Sequence, residues 1–264
     1  MTVKKLQILL SLILLTLPVG IYAGDNEPKY KSEKDNDVQF RTGFEIEKEI
    51  KRHFSVSWNE ELRIKEDFKK LDGIYSDIAL SFKVTKWLKL SAGYTFISID
   101  HEGKKKDNYE NYWDLRHRLT LGATFSRKTY SNWTFSLKER VQATFLTDDD
   151  VDKREKANPK WILKSKLMAQ YKISRFPLIP YASVELCNTL NAPKLAGGEY
   201  IEKVRSAIGA VYRLNKRNSI NFFYRFDYNL DKKIDVKAST GILKSLTKAK
   251  EYNNIVSISY KYKF

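Results

Sequence analysis

From residue 38 onward, apolar and polar side chains change places at nearly every step, and the phase holds for nine to thirteen residues at a time. Val38, Phe40, Thr42, Phe44 and Ile46 fall on one side, and Gln39, Arg41, Gly43, Glu45 and Glu47 on the other. The same split recurs with Phe54, Val56, Trp58, Leu62 and Ile64 against Ser55, Ser57, Asn59, Glu61 and Arg63. It returns in the stretches around residues 77–84, 88–96, 113–125, 133–145, 161–171, 220–228 and 256–264, and less regularly in 179–187 and 204–214. Side chains two apart on a strand point the same way, so each run is a strand with one apolar and one polar face. That predicts eleven strands.

Their length decides what the apolar face meets. Soluble strands average about 5–6 residues, whereas about 9–11 tilted residues cross a bilayer. The fold class predicted is all-β, a transmembrane antiparallel up-and-down barrel with its polar face turned into the lumen. Trp87, Trp113, Trp133 and Trp161 stand at strand starts, where indole rings favour a membrane–water boundary. Pro159, Pro177 and Pro193 fall in connections and Pro180 starts a strand, so no strand interior is interrupted. The alternative is a soluble exported lipocalin-like protein, whose apolar face would point inward.

Connections alternate in length. Residues 51–52, 85–86, 126–132, 173–178 and 215–218 are tight; 66–74, 100–111, 147–160, 188–203 and 229–252 are longer and mostly charged. Short turns on the periplasmic side and longer loops outside are the habit of such barrels. The first and last runs then point the same way, and eleven strands cannot close antiparallel. An even count is expected, twelve with a further strand within 25–37, or ten.

Before the strands, Lys4 and Lys5 precede a nearly unbroken apolar run from Leu6 to Leu17, then Pro18, Gly20 and Ala23. This reads as an export signal at 1–23, cleaved after Ala23, followed by a short polar segment at 24–37 and the barrel at 38–264. Removing 23 of 264 residues leaves 241, and the loss of two lysines takes the formal charge from +16 to +14.

Composition changes meaning in this light. The mean hydropathy of −0.51 suggests a soluble protein only because it averages over two opposite faces. A single cysteine, Cys187, excludes a disulfide framework and a Cys-based zinc site. The excess of 48 Lys and Arg over 32 Asp and Glu lies largely on the lumen face and in loops, so nucleic acid is not the expected partner. The predicted lumen carries Arg41, Arg63, Arg116, Arg118, Lys138, Arg140, Lys164, Lys166, Arg205, Arg213 and Arg225. Against them stand Glu45, Glu47, Glu61, Asp77, Asp114, Glu185 and Asp227. Since lumen charges tune selectivity, a small anion-preferring pore is one expectation. A barrel plugged by paired charges is the other.

Three polar residues break the outward face, His117, Glu139 and Ser165, and a Ser-His-Glu set facing lipid would make a lipid-acting outer-membrane enzyme the alternative function. A tight hairpin pairing Leu121 with Phe135 would set His117 opposite Glu139. Ser165 would then lie two strands away, roughly 10 Å from His117, too far for a base to activate a hydroxyl. No catalytic residue, cofactor or metal is expected. His53 and His101 lack ligand spacing, Asp148, Asp149, Asp150 and Asp152 lack an EF-hand pattern, and Gly197-Gly198 is not a phosphate loop. Lys104-Lys105-Lys106 is a loop that could meet lipopolysaccharide phosphates.

The closing Tyr260-Lys261-Tyr262-Lys263-Phe264 resembles the terminal signal of bacterial outer-membrane proteins, and Tyr260, Tyr262 and Phe264 match its alternating aromatics. Leu115-Arg116-His117-Arg118-Leu119, Lys138-Glu139-Arg140-Val141-Gln142, residues 161–167 and Pro180-Tyr181-Ala182-Ser183-Val184-Glu185-Leu186 resemble the DUF2490 family of uncharacterised outer-membrane barrels common in Bacteroidetes. The resemblance implies an outer-membrane location, with membrane lipids, lipopolysaccharide and the barrel assembly machinery as partners. It implies no activity.

Overall fold

In a computed structural model of the chain, residues 29–101, 112–147, 157–191, 201–236 and 243–264 are described. The predicted export signal and the loops carrying Lys104, Asp149 and Gly197 lie outside them. The described residues form eleven strands: β1 (Lys29–Lys51), β2 (Phe54–Lys65), β3 (Lys70–Lys83), β4 (Leu88–His101), β5 (Tyr112–Lys128) and β6 (Trp133–Leu146), then β7 (Lys160–Tyr171), β8 (Leu178–Thr189), β9 (Ile201–Arg213), β10 (Asn218–Val236) and β11 (Leu243–Lys263). They close into one barrel in chain order. No helix among them is long and apolar enough to cross a membrane.

The expected even count is corrected. Ten neighbouring pairs are antiparallel and the eleventh, β1 with β11, is parallel, running in register from Lys29↔Ser245 to Glu47↔Lys263. An odd ring of alternating strands needs one such pair. The segment sought as a twelfth strand is the start of β1: most of the expected polar segment at 24–37 is already strand.

Two long loops are corrected as well. β10 and β11 run on until only 237–242 separates them, so most of 229–252 is paired strand. The turn after β2 occupies only 66–69, and Glu66, Asp67 and Phe68 take positive φ of 54°, 54° and 68°. That is an uncommon backbone for three residues with side chains. Phe68 meets Phe40 edge-on, and Asp37 accepts a hydrogen bond from the Asp67 amide at 3.3 Å.

The phase of each strand survives closure. Leu119, Leu121, Leu167, Ile78 and Ile208 are among the exposed large apolar residues of the outer face. Ile97 and Ile255 point inward, are fully buried, and fill part of the interior. Trp87 and Trp133 ring the tight-turn rim, and Trp113 and Trp161 the opposite rim. Trp161 pairs with Ala143, ten residues along β6 from Trp133. Trp113 pairs with Asp100, thirteen residues along from Trp87. At about 3.3 Å per residue and a tilt near 40°, the belts stand about 25–33 Å apart. Eleven strands about 4.8 Å apart at that tilt give a backbone radius of about 11 Å.

Candidate functional site in the lumen

The inward face of the middle of the barrel encloses a cavity of about 460 Å³. Nine cations reach it: Arg41, Arg63, Arg118, Arg140, Lys164, Lys166, Lys203, Arg205 and Arg225. Three carboxylates line it with them, Glu61, Glu185 and Glu202. Eight of those cations are among the expected lumen residues. Lys203 is the ninth, missed because 188–203 reads as a loop while β9 already begins at Ile201.

Part of the charge is tied up in a chain of ion pairs. Glu185 is bonded by Arg140 and, at 2.8 Å, by Arg205. Arg205 continues to Asp227 at 3.2 Å, which also holds Arg225 at 2.7 Å. The chain runs from β6 over β7 to β8, β9 and β10, and its two carboxylates are buried, with side chains 7% and 2% exposed. On β1 and β2, Glu61 pairs with Arg63 at 2.5 Å and Arg41 at 3.6 Å. The Arg63 guanidinium lies 3.3 Å over the ring of Tyr75. Arg118 donates to the Thr144 hydroxyl at 3.0 Å.

These pairs do not balance the cations. Around the cavity three cross-strand partners in register are like-charged: Arg41 with Arg63, Lys138 with Lys166, and Arg140 with Lys164. Directly opposed like charges destabilise a sheet. Among the described residues Lys138, Lys164, Lys166 and Lys203 have no hydrogen bond or ion pair. Lys138 sits one row nearer the tight-turn rim than Lys164.

Other expected lumen residues lie apart from this cluster. Arg116 is bound to Asp114 on its own strand. Glu45 stands at the seam, where Lys261 reaches it at 2.8 Å. Arg213 ends β9 at the tight-turn rim. Cys187 is buried, a free thiol facing the lumen near the end of β8. Of the terminal aromatics, the Tyr260 hydroxyl donates to Asn218, and Tyr262 meets Phe264 edge-on at 4.7 Å.

The outward polar set is rearranged. β5 and β6 pair Leu121 with Val141 rather than with Phe135, so His117 faces Phe145 and Glu139 faces Ala123. The strands run closer to the turn than expected, and a shift of six residues keeps every side chain on its face. His117 Nδ1 lies 2.6 Å from the Tyr94 hydroxyl instead. Ser165 donates to Glu139 at 2.6 Å, with no histidine between them, so these three residues do not form a Ser-His-Glu set. The same arrangement occurs on β2 and β3, where Ser76 donates to its direct partner Glu60, which also accepts from the Trp58 indole at 2.8 Å. Glu60 was legible, since it breaks the apolar phase between Trp58 and Leu62. No group of three or more His, Cys, Asp or Glu among the described residues is placed to hold a metal.

A family model described as "Protein of unknown function (DUF2490)" matches residues 39–237. No curated protein matches. Among solved structures, an anion-selective porin from Comamonas acidovorans aligns at 13% identity with a TM-score of 0.32. The match covers 75% of this chain and 55% of that one, so this chain spans about half of that porin, and the likeness is too slight to argue from.

Proposed function

The chain belongs to the DUF2490 family, and from that premise we propose that it is a barrel of the bacterial outer membrane whose lumen passes small anions. The observation that carries the reading is the cavity itself, where nine cations face three carboxylates, two cation pairs stand in register, and a third pair reaches it through Lys166. A sheet that keeps like charges opposed gives up stability at those positions, and an anion between them recovers it. The outer location is supported by the export signal, the terminal phenylalanine, and an apolar band whose aromatic belts stand about as far apart as a hydrocarbon layer is thick. Tight turns then face the periplasm, long loops face lipopolysaccharide, and the assembly machinery reads Tyr260, Tyr262 and Phe264.

One observation favours a second reading. The chain from Arg140 to Arg225 ties four strands together across the interior, as a plug of paired charges would. Single-channel recording in planar bilayers separates the two. A salt gradient should give a reversal potential of anionic sign. Absence of conductance leaves the plugged barrel, and cation preference removes the anion channel. Recovery of the protein in the soluble periplasm would remove both.

A further inference from the structure

We propose that the lumen face of β6 and β7 is a discrete binding site for a multivalent oxyanion of the phosphate type. The proposal rests on the lumen reading above and deepens it, since it requires a water-filled interior but no conductance. The site is the four-residue block formed by Lys138, Arg140, Lys164 and Lys166. In register, Lys138 stands beside Lys166 and Arg140 beside Lys164. Cross-strand neighbours have Cβ atoms about 5 Å apart, and the two rows are about 7 Å apart along the strands. The four cations therefore span an area that one phosphate-sized anion can touch.

Only Arg140 has a carboxylate. Glu185, which lies directly beside Lys166, is taken by Arg140 and Arg205, and Glu202 is taken by Lys160 at 2.5 Å. Lys138, Lys164 and Lys166 have no hydrogen-bond or ion-pair partner among the described residues; Lys164 and Lys166 line the cavity with Arg118 and Lys203, and Lys138 stands in register beside Lys166. A single chloride neutralises one of three adjacent ammonium groups. A di- or trianion with oxygens on several sides neutralises all three and accepts the ammonium protons as charge-assisted hydrogen bonds. The cavity, about 460 Å³, lies within the range of about 300–1,000 Å³ usual for small-molecule sites.

The test is calorimetric titration of the refolded, detergent-solubilised barrel with inorganic pyrophosphate at low salt, run beside conductance measurements. Pyrophosphate should bind saturably, and Lys138→Gln with Lys166→Gln should weaken it at least tenfold. Lys138→Arg with Lys166→Arg should keep binding within about threefold, because charge and reach persist. Lys216→Gln, in the exposed turn after β9, should leave it within twofold and so separates the site from net charge. The glutamine pair also removes an opposed like-charge pair, so the variant should resist unfolding at least as well as the parent, which guards against loss of binding through misfolding. Anion-preferring conductance without pyrophosphate binding overturns the site and leaves the channel. Binding without conductance keeps the site and removes the channel. Equal weakening by Lys216→Gln overturns the site.

Discussion

The parallel seam is held by a ladder of charges that can be reversed. On the lumen side of β1, Glu45, Glu47 and Glu49 face Lys261 and Lys263 of β11. Lys261 lies 2.8 Å from Glu45 and 2.5 Å from Glu47, and Lys263 lies 3.9 Å from Glu47 and 2.8 Å from Glu49. Each lysine thus bridges two successive carboxylates, which disfavours a slip by one row. Leaving out the solvated Glu49, three contacts remain between side chains 21–38% exposed. Partly solvated pairs of this kind contribute about 0.4 kcal/mol each. Lys261→Glu with Lys263→Glu turns each attraction into a repulsion, so the change is twice the sum, about 2–3 kcal/mol. That lowers the folded-to-unfolded ratio on the order of 50-fold, since about 1.4 kcal/mol is tenfold. Urea unfolding in detergent, followed by tryptophan fluorescence and heat-modifiable gel mobility, measures it. Adding Glu45→Lys and Glu47→Lys should restore most of the loss. In a Cys187→Ser background, Thr42→Cys and Ile258→Cys should crosslink, because those residues are direct partners on the outer face. No loss on reversal, no recovery on the second reversal and no crosslink would together show that the two strands do not meet in this register.

Other consequences follow from particular contacts. Glu185→Gln leaves Arg140 and Arg205 without their shared carboxylate; it should cost about 2–3 kcal/mol by urea titration, at the low end for a broken buried pair because both arginines keep some solvent, and should shift the reversal potential further toward anions. Glu139→Leu with Ser165→Ala removes a carboxylate from the middle of the apolar band and the hydroxyl that serves it, and should raise stability in lipid by about 1 kcal/mol; a loss would show that the pair has a polar partner there. A Cβ on Gly43 would lie 2.0 Å from the Glu60 carbonyl oxygen, so Gly43→Ala should part β1 from β2 and cost about 2–3 kcal/mol in the same titration.

Much of the barrel was readable because one rule governs it. Strand phase alone sorted Arg41, Arg118, Arg140, Lys164 and Arg225 to the inside, and any even change of register leaves that sorting intact. What phase cannot specify is pairing. The distance between His117 and Glu139 depends on where the turn at 129–132 begins, and a six-residue shift there separated them without moving either to the other face. Residues 29–37 and 243–252 escaped because both of their faces are largely polar, and 229–236 because Lys232 interrupts the apolar phase of Leu230, Ile234 and Val236, although all of them pair as strand. The parity error had a different source. An even number was brought to the sequence as a general habit of such barrels, while the chain itself offered eleven runs and two terminal strands with the same heading.

That shared heading is an instance of frustration on an odd cycle. Neighbours that each prefer opposite directions can all be satisfied around an even ring, but around eleven one link must fail, and here the failure is confined to the contact between the two ends of the chain. It follows that the start of β1 and the finish of β11 lie on opposite rims. The start of β1 lies at the rim of long connections and Phe264 at the rim of tight turns. In the membrane orientation proposed above, a label inserted at the start of β1 would report the cell surface and one at the finish of β11 the periplasm, so the two strands of one seam would address both compartments.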